Sequence, residues 1–342
     1  MYNRIKSVIY NLPIRTKYEY TTIYYLRNCY YKYLKSFIRK AKVYPNNFLY
    51  GHHYWLKRYA NYEDIICGTI EHGLYFGENY NTTMSDFEFT LGSIITYGQY
   101  RYNVLRQHYP HHKIFQIGPR INYVDPDIGY YNNIKSDLLD GKVLTFFPEH
   151  SISGVYANYD IDATINKIRK LKHFLNCTNV LICCYFQDIY SGLDLKYRER
   201  GFATVTAGAN QINFLPRLKA IIMASDYTAS NGLGTNLGYC VFMHKPHILI
   251  ADDINYLGSQ EALYNEFLTR GNQWANKYEY EKHVFYDMFS MENGYTINDR
   301  QMKLCDFYWG FSQIKSPKEL NAILMNCKDY VAEYRKHAIN TY

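Results

Sequence analysis

From Asp64 onward the chain alternates short apolar runs, each ending in glycine or a polar turn, with stretches of helical periodicity. That alternation restricts it to an α/β architecture. A first series supplies the runs DIICGTI, GSIITYG and HKIFQIG, with QYRYNVLRQHY as a helix after the second. A second series begins at Lys142: strand KVLTFFP, helix DIDATINKIRKLKHFLN, strands NVLICCYF and FATVTAG, helix LPRLKAIIMA, the short strand DYTAS, helix LGTNLGYCVFM and strand PHILIA. These runs are almost continuously apolar, as parallel strands covered on both faces must be. Their order reads as a Rossmann-like half. Between the two series, YVDPDIGYYNNIKSDLLDG is rich in turn residues and poor in periodicity, and reads as an interdomain linker.

At 342 residues the chain is long enough for about two domains, and two domains imply a cleft. The expected division is a basic amphipathic helical segment at 1–45 and a first Rossmann-like domain at 46–125. The linker at 126–140, a second Rossmann-like domain at 141–255 and a helical segment at 256–342 follow. Ser316-Pro317-Lys318-Glu319 marks a helix start in the last of these, with serine as N-cap, proline at the first position and glutamate closing a capping box.

The net charge of +7 is unevenly placed. In residues 1–45 the basic Arg4, Lys6, Arg15, Lys17, Arg27, Lys32, Lys35, Arg39, Lys40 and Lys42 face Glu19 alone. Leu26, Tyr30, Tyr33, Leu34, Phe37 and Ile38 recur among them at helical spacing, so this segment is expected either to lie on an anionic membrane surface or to pack on the first domain. Pro13 and the early charges leave no room for a secretory signal, which places the protein in the cytoplasm, peripheral to the inner face of its membrane. The eight cysteines form no C-x-x-C pair and several sit inside apolar runs, as buried reduced thiols do.

Three constellations can carry chemistry. Ser225-Asp226-Tyr227-Thr228-Ala229-Ser230-Asn231-Gly232-Leu233-Gly234-Thr235 runs from a short strand through a small, hydroxyl-rich turn into a helix start. Backbone N–H groups there, with the hydroxyls of Ser230 and Thr235, form a site for a phosphate, and Gly232 and Gly234 allow close approach. The same run also reads as an ordinary capped strand-to-helix connection. Phe147-Pro148-Glu149-His150-Ser151 lies at the C-terminal end of the first strand of the second series, where open α/β sheets bind ligands. His150 can donate to a phosphate or merely cap the next turn; Glu149 can hold a ribose or a base. Glu71-His72-Gly73 ends the first strand of the first series, and either Glu71 or His72 can serve as a base, with His72 favoured because glycine follows it. Arg101, after the next strand, can meet an anionic group.

The run RLKAIIMASDYTASNGLGTNLGYCVFMHKPHIL resembles the nucleotide-binding segment of GT-B glycosyltransferases of bacterial capsule and O-antigen synthesis. In their sialic-acid, Kdo and polyol-phosphate transferase branches, a Ser/Thr turn at the place of Ser230, Asn231, Gly234 and Thr235 holds the donor phosphate, with Asn231 standing where many relatives have a second serine. The resemblance implies a phosphate-binding role for His150, although here the order is Pro-Glu-His rather than His-Pro. It implies an acceptor-side role for His72-Gly73, and a place near the nucleoside base for Thr206-Ala207-Gly208. It covers residues 64–255 and is best between 200 and 250. The function it implies is transfer of a sugar from a CMP- or UDP-type donor to a surface polysaccharide or lipid-linked acceptor. A polyol-phosphate transferase with a CDP-activated donor, or a non-catalytic assembly subunit, are the alternatives.

Other templates fail. There is no G-x-x-x-x-G-K-[ST], G-x-S-x-G or H-E-x-x-H, and no D-x-D that follows a strand so as to present both carboxylates to a metal. No cofactor beyond the nucleotide-sugar co-substrate, no metal and no nucleic-acid partner is therefore expected. His108, His111 and His112 read as a solvated loop.

Overall fold

A computed structural model of the chain describes residues 44–78, 91–151, 156–257 and 272–339. The basic segment 1–43 lies outside them, so its membrane role stays an expectation.

Two parallel sheets organise the molecule. The first holds β1 (Thr69–Ile70), β2 (Ser93–Thr96) and β3 (Lys113–Gln116) in chain order, preceded by a 3-10 turn (Pro45–Gly51) and α1 (His52–Tyr59). Helix α2 (Gln99–His108) joins β2 to β3. Strand β1 is two residues long where the whole run DIICGTI reads as a strand. The burial of Ile66 and Cys67 explains the apolar signal without a sheet partner.

The expected linker is a helix, α3 (Ile128–Ser136), started by Asp127, whose side chain accepts the Tyr130 N–H at 3.0 Å. It buries Ile134 in the core that it shares with α7. The turn-rich composition hid a short element stabilised by tertiary packing rather than by propensity.

Strand β4 (Val143–Phe147) then opens the second sheet. After it come β5 (Tyr156–Asn158), α4 (Ile161–Phe174), β6 (Asn179–Cys183), α5 (Phe186–Tyr190), α6 (Leu193–Arg198), β7 (Ala203–Val205), α7 (Phe214–Ala224), β8 (Tyr227–Ser230), α8 (Thr235–Phe242) and β9 (His247–Leu249). The spatial order is β7-β6-β4-β8-β9, all parallel. The chain starts in the middle, grows outward one way, then returns to grow the other way, which is the doubly wound order with its switch point between β4 and β8. Sequence reading drew no helix between NVLICCYF and FATVTAG. Parallel neighbours need a crossover, and α5 with α6 provide it.

A separate antiparallel pair joins β5 to β10 (Asn255–Leu257). Among the described residues three further helices follow: α9 (Asn272–Met288), α10 (Asp299–Trp309) and α11 (Pro317–Ile339). They return to the first sheet. Tyr308 of α10 stacks on Tyr100 of α2 with ring centroids 4.3 Å apart, and α10 presses Trp309 against Gly238 of α8, where an added Cβ would lie 2.1 Å from the ring. One core therefore contains Tyr97 and Tyr100 from the first sheet's layer, Leu215 and Leu237 from the second, and Phe285 and Trp309 from these helices.

The capping box at Ser316 is present: Ser316 N–H donates to Glu319 Oε2 at 2.8 Å and Glu319 N–H to Ser316 Oγ at 3.3 Å. Ser316→Ala is expected to lower stability by about 1 kcal/mol, the usual cost of losing such a cap. Urea unfolding with an unchanged midpoint would show that the cap contributes nothing.

All seven cysteines among the described residues are buried thiols. The histidine cluster departs from its expected solvated loop: His108 and His111 are exposed, but His112 is buried between Tyr109 and Tyr334, with ring centroids at 5.3 and 5.0 Å. No described helix is long and apolar enough to cross a membrane.

Candidate functional site

A cavity of about 360 Å³ opens at the switch point. From the doubly wound sheet it receives Pro148, Glu149 and His150 after β4, Tyr185 after β6, Gly208 after β7, and Ser230 and Gly232 to Asn236 around the start of α8. The first sheet contributes His72, Gly73, Leu74 and Tyr75 after β1, and the turn before α1 adds Tyr50 and His52. Parallel strands carry all their C-terminal ends to one side, which is why residues distant in sequence converge here.

Residues after β8 divide into those that face the cavity and those that build it. Ser230 Oγ reaches the cavity wall and donates to the Gly232 carbonyl at 2.8 Å. Gly234 is the N-cap of α8, so the free N–H groups of that helix start point into the same space. Thr235 Oγ1 accepts the Leu74 N–H at 2.9 Å, tying the His72-Gly73-Leu74 loop to α8. Asn231, expected to bind phosphate, is instead wholly buried: its Oδ1 accepts the Glu149 N–H at 2.6 Å and its Nδ2 donates to Asp252 at 2.9 Å. It clamps the two loops together. Ser151 is likewise turned away, its N–H on Asp188 at 3.0 Å and its Oγ accepting from Ala157 N–H at 3.2 Å. The loops that carry these two residues border the cavity, and their side chains turn into the protein.

Glu149 keeps its carboxylate in the cavity, held by the Tyr256 hydroxyl at 3.0 Å. A Cβ at Gly232 would stand 1.5 Å from Glu149 Oε2, so only glycine admits both groups. His150 is exposed at the cavity rim with its ring against Tyr185, 4.9 Å between centroids. Gly208 sits at φ +92°, in the left-handed region that glycine enters without strain, and donates to Thr206 Oγ1 at 3.0 Å.

On the opposite wall, His72 is pushed down to about 4 chiefly by burial, with both ring nitrogens 3.3 Å from the Tyr75 hydroxyl. A neutral imidazole able to accept a proton results. Glu71, the other candidate base, does not reach the cavity. Its carboxylate is fully buried in an ion pair with Arg101 at 2.6 Å and accepts the Thr96 hydroxyl at 2.5 Å. Arg101 is equally enclosed, so its expected contact with an anionic ligand is replaced by this pair. The signal that misled was position alone: both residues follow cavity-side strands, but their side chains point between the layers.

Arg120 adds a second buried cation, donating to the carbonyls of Glu71, Ile95, Thr96 and Gly118 and lying over the Tyr97 ring at 4.1 Å. Its charge bears on His52, whose protonation it disfavours. Arg101→Met is expected to cost about 3–5 kcal/mol by leaving Glu71 buried without its partner. The double change Arg101→Met, Glu71→Leu should recover most of that in denaturant unfolding. Equal losses in the single and double variants would show that the packing, not the ion pair, matters.

Sequence reasoning missed Tyr50, His52 and Tyr185. Tyr50 holds φ +55° beside Gly51 at φ +75° and places its hydroxyl 3.3 Å from that of Tyr185. His52 Nε2 lies 3.3 Å from the His72 carbonyl oxygen, and burial, helped by Arg120, drives it down to about 3. No periodicity or motif marks these positions; the run Tyr-Gly-His-His before a helix was the one available sign.

No protein-family model matches the chain, and no curated protein matches it by sequence. Among solved structures, the wall teichoic acid polymerase TagF is similar at 11% identity over 78% of this chain and 68% of its own, with a TM-score of 0.45. UDP-GlcNAc 2-epimerase from Neisseria meningitidis, bound to UDP-GlcNAc, is similar at 13% identity over 94% of this chain and 83% of its own, with a TM-score of 0.40. The S. aureus MnaA–UDP structure is similar at 9% identity, covering 70% and 59%, with a TM-score of 0.30. Likenesses this distant assign nothing to the present chain, whose chemistry rests on the residues of its own cavity.

Proposed function

We propose that the chain is a GT-B-type glycosyltransferase, two Rossmann-like domains facing a cleft, that takes a sugar from a nucleotide-activated donor without a metal. One observation carries the reading: the cavity lies at the β4/β8 switch point, with a helix N-terminus on one wall and a neutral histidine from the other sheet opposite it. A phosphate fits the first wall by hydrogen bonds from free N–H groups and the helix dipole. An acceptor hydroxyl fits the second, where His72 removes its proton as the sugar is transferred.

In this reading the start of α8, with Ser230 and Thr235, holds the donor phosphate. His150 donates to it from the rim and stabilises the departing nucleotide, and the Gly208 loop receives the nucleoside. Charge developing on the leaving phosphate is met by fixed dipoles and a histidine, the kind of electrostatic stabilisation that needs no ion. CMP- or UDP-sugars are the donors, a polysaccharide or glycolipid is the acceptor, and the basic segment 1–45 holds the enzyme at an anionic membrane surface in the cytoplasm. The volume of about 360 Å³ is within the range of about 300–1,000 Å³ usual for small-molecule sites.

Thermal unfolding in the presence of CMP-, UDP-, GDP- and CDP-activated donors tests this directly. A true donor at a hundred times its Kd should add about 2.7 kcal/mol to stability. Ser230→Ala with Thr235→Ala should then weaken that donor by about 1–3 kcal/mol, the loss expected for hydrogen bonds to a charged group. If no nucleotide or nucleotide sugar stabilises the protein, the reading fails. If a donor binds the double variant as tightly as the parent, the turn is not its phosphate site.

A further inference from the structure

The hydroxyl that Ser230 presents to the cavity is one link in a buried chain. Ser230 Oγ contacts the Gly232 carbonyl at 2.8 Å and His247 Nε2 at 3.0 Å. Across the ring, His247 Nδ1 lies 2.9 Å from Thr228 Oγ1, which lies 2.9 Å from the Pro246 carbonyl. Thr228, Ser230 and His247 are all buried.

These four contacts can be counted in protons. Two hydroxyls and a neutral imidazole bring three, and the two carbonyls at the ends can only accept. Cys240, whose thiol also meets Thr228, adds one proton and one contact and leaves the balance unchanged. The neutral chain is therefore one proton short, and an imidazolium at His247 would complete it. Burial opposes that charge, holding His247 down to about 3. Thr228 and Ser230 on β8 meet the ring and the backbone around Gly294 packs against the His247 carbonyl, none of them ionisable near neutral pH. The charged groups nearest in the turn are Glu149, against Gly232, and Asp252, on Asn231.

We propose that His247 is the positioning residue of the anion site: it orients the Ser230 hydroxyl and takes up a proton from solvent when a phosphate group binds there. This rests on the reading of the Ser230 turn as the donor-phosphate site. A bound anion accepts the serine proton in place of the Gly232 carbonyl. Ser230 Oγ then accepts from His247 Nε2–H, Nδ1–H donates to Thr228, and Thr228 donates to Pro246. Every donor points toward the anion, whose charge one hydroxyl away offsets the cost of the buried imidazolium.

The test uses UDP-glucose and inorganic sulfate, neither of which titrates between pH 5 and 8. Calorimetry in two buffers of different ionisation enthalpy counts protons taken up on binding by the parent, His247→Gln and Ser230→Ala. His247→Gln keeps a donor for Ser230 but cannot gain charge. The parent should take up more protons than either variant, by up to about one per anion, and its affinity should rise by up to about tenfold more per unit fall in pH than that of His247→Gln. His72 and His150 line the same cavity in all three proteins, so the difference isolates His247. Equal uptake overturns the proposal, as does a His247→Gln variant that loses affinity at every pH with no change in slope, which marks a merely structural role. If His247→Gln does not fold, Ser230→Ala, which cuts the same link from the cavity side, decides. If the parent binds neither probe at any pH, the phosphate-site reading falls and this inference with it; binding without the extra proton sinks this inference alone.

Discussion

His72→Ala is expected to lower turnover by about 10²–10⁴-fold, the range for removing a general base, while the Kd of the donor stays near that of the parent. The asymmetry follows from where the ring sits. His72 belongs to the loop after β1, across the cavity from the helix start that receives the phosphate, so its loss removes a proton acceptor and leaves the anion contacts in place. Its ring is neutral at pH 7 because burial holds it near 4. A bound anion nearby favours the protonated form, so the value rises once the donor is seated. The acid limb of kcat/KM, which reports the free enzyme, should accordingly lie near pH 4, and the limb of kcat, which reports the complex, should lie higher. His150→Ala should differ in kind, weakening nucleotide binding and slowing leaving-group departure together. Single-turnover rates and nucleotide affinities for the two variants separate the roles. A His72→Ala enzyme that transfers at the parent rate would remove the base from that side of the cleft.

The parts of this site visible in the sequence are those fixed by backbone topology. Short apolar runs gave β4 and β8 to within a residue and overran β6 by three residues and β9 by one at its start and two at its end, and a strand end in a doubly wound sheet is a ligand position whatever side chain stands there. Ser230, Gly234, Thr235, His72, Glu149, His150 and Gly208 stand at or just after such ends, and all of them line the cavity. Side-chain direction is not legible in the same way. Glu71 and His72 are adjacent in a loop after a strand, yet one turns inward to Arg101 and the other to the cavity, and one residue of register decides which. Asn231 and Ser151 fail similarly: buried polar groups must find partners, and theirs are Asp252 and Asp188 within the protein rather than a ligand. Elements with weak local signals were the other loss. Helix α3 is held by the core it shares with α7, and the β5–β10 pair joins segments about a hundred residues apart, which no window of sequence reports.

Acidification should destabilise the protein far more steeply than its net charge suggests, because His52 and His247, fully buried, and His72, half-buried in the cavity wall, are held in neutral form. His52 and His247 are held near 3 and His72 near 4, against 6.5 for the group in an unfolded chain. Since the folded values are the lower ones, the unfolded chain binds protons first as pH falls. The stability these sites contribute is fully present above about pH 6.5 and drains away between 6.5 and 3–4. Each histidine adds a slope that approaches about 1.4 kcal/mol per pH unit below 6.5, so three approach about 4 kcal/mol per unit, and roughly 5 kcal/mol is lost between pH 6.5 and 5. That is comparable with the whole stability of many domains. Asp188 and Glu281 act in the opposite sense, since burial raises both carboxyls and their protonation favours the folded state. The clean reading is therefore a difference between proteins. Urea unfolding at pH 7 and at pH 5.5 should show a large loss in the parent and a loss smaller by about 1.4 kcal/mol, one histidine's share over this interval below pH 6.5, in His52→Gln or His247→Gln. A parent whose stability is flat across that interval, or single variants that share its slope, would show that these rings are charged or solvated in the folded protein. The neutral base assigned to His72 would go with them.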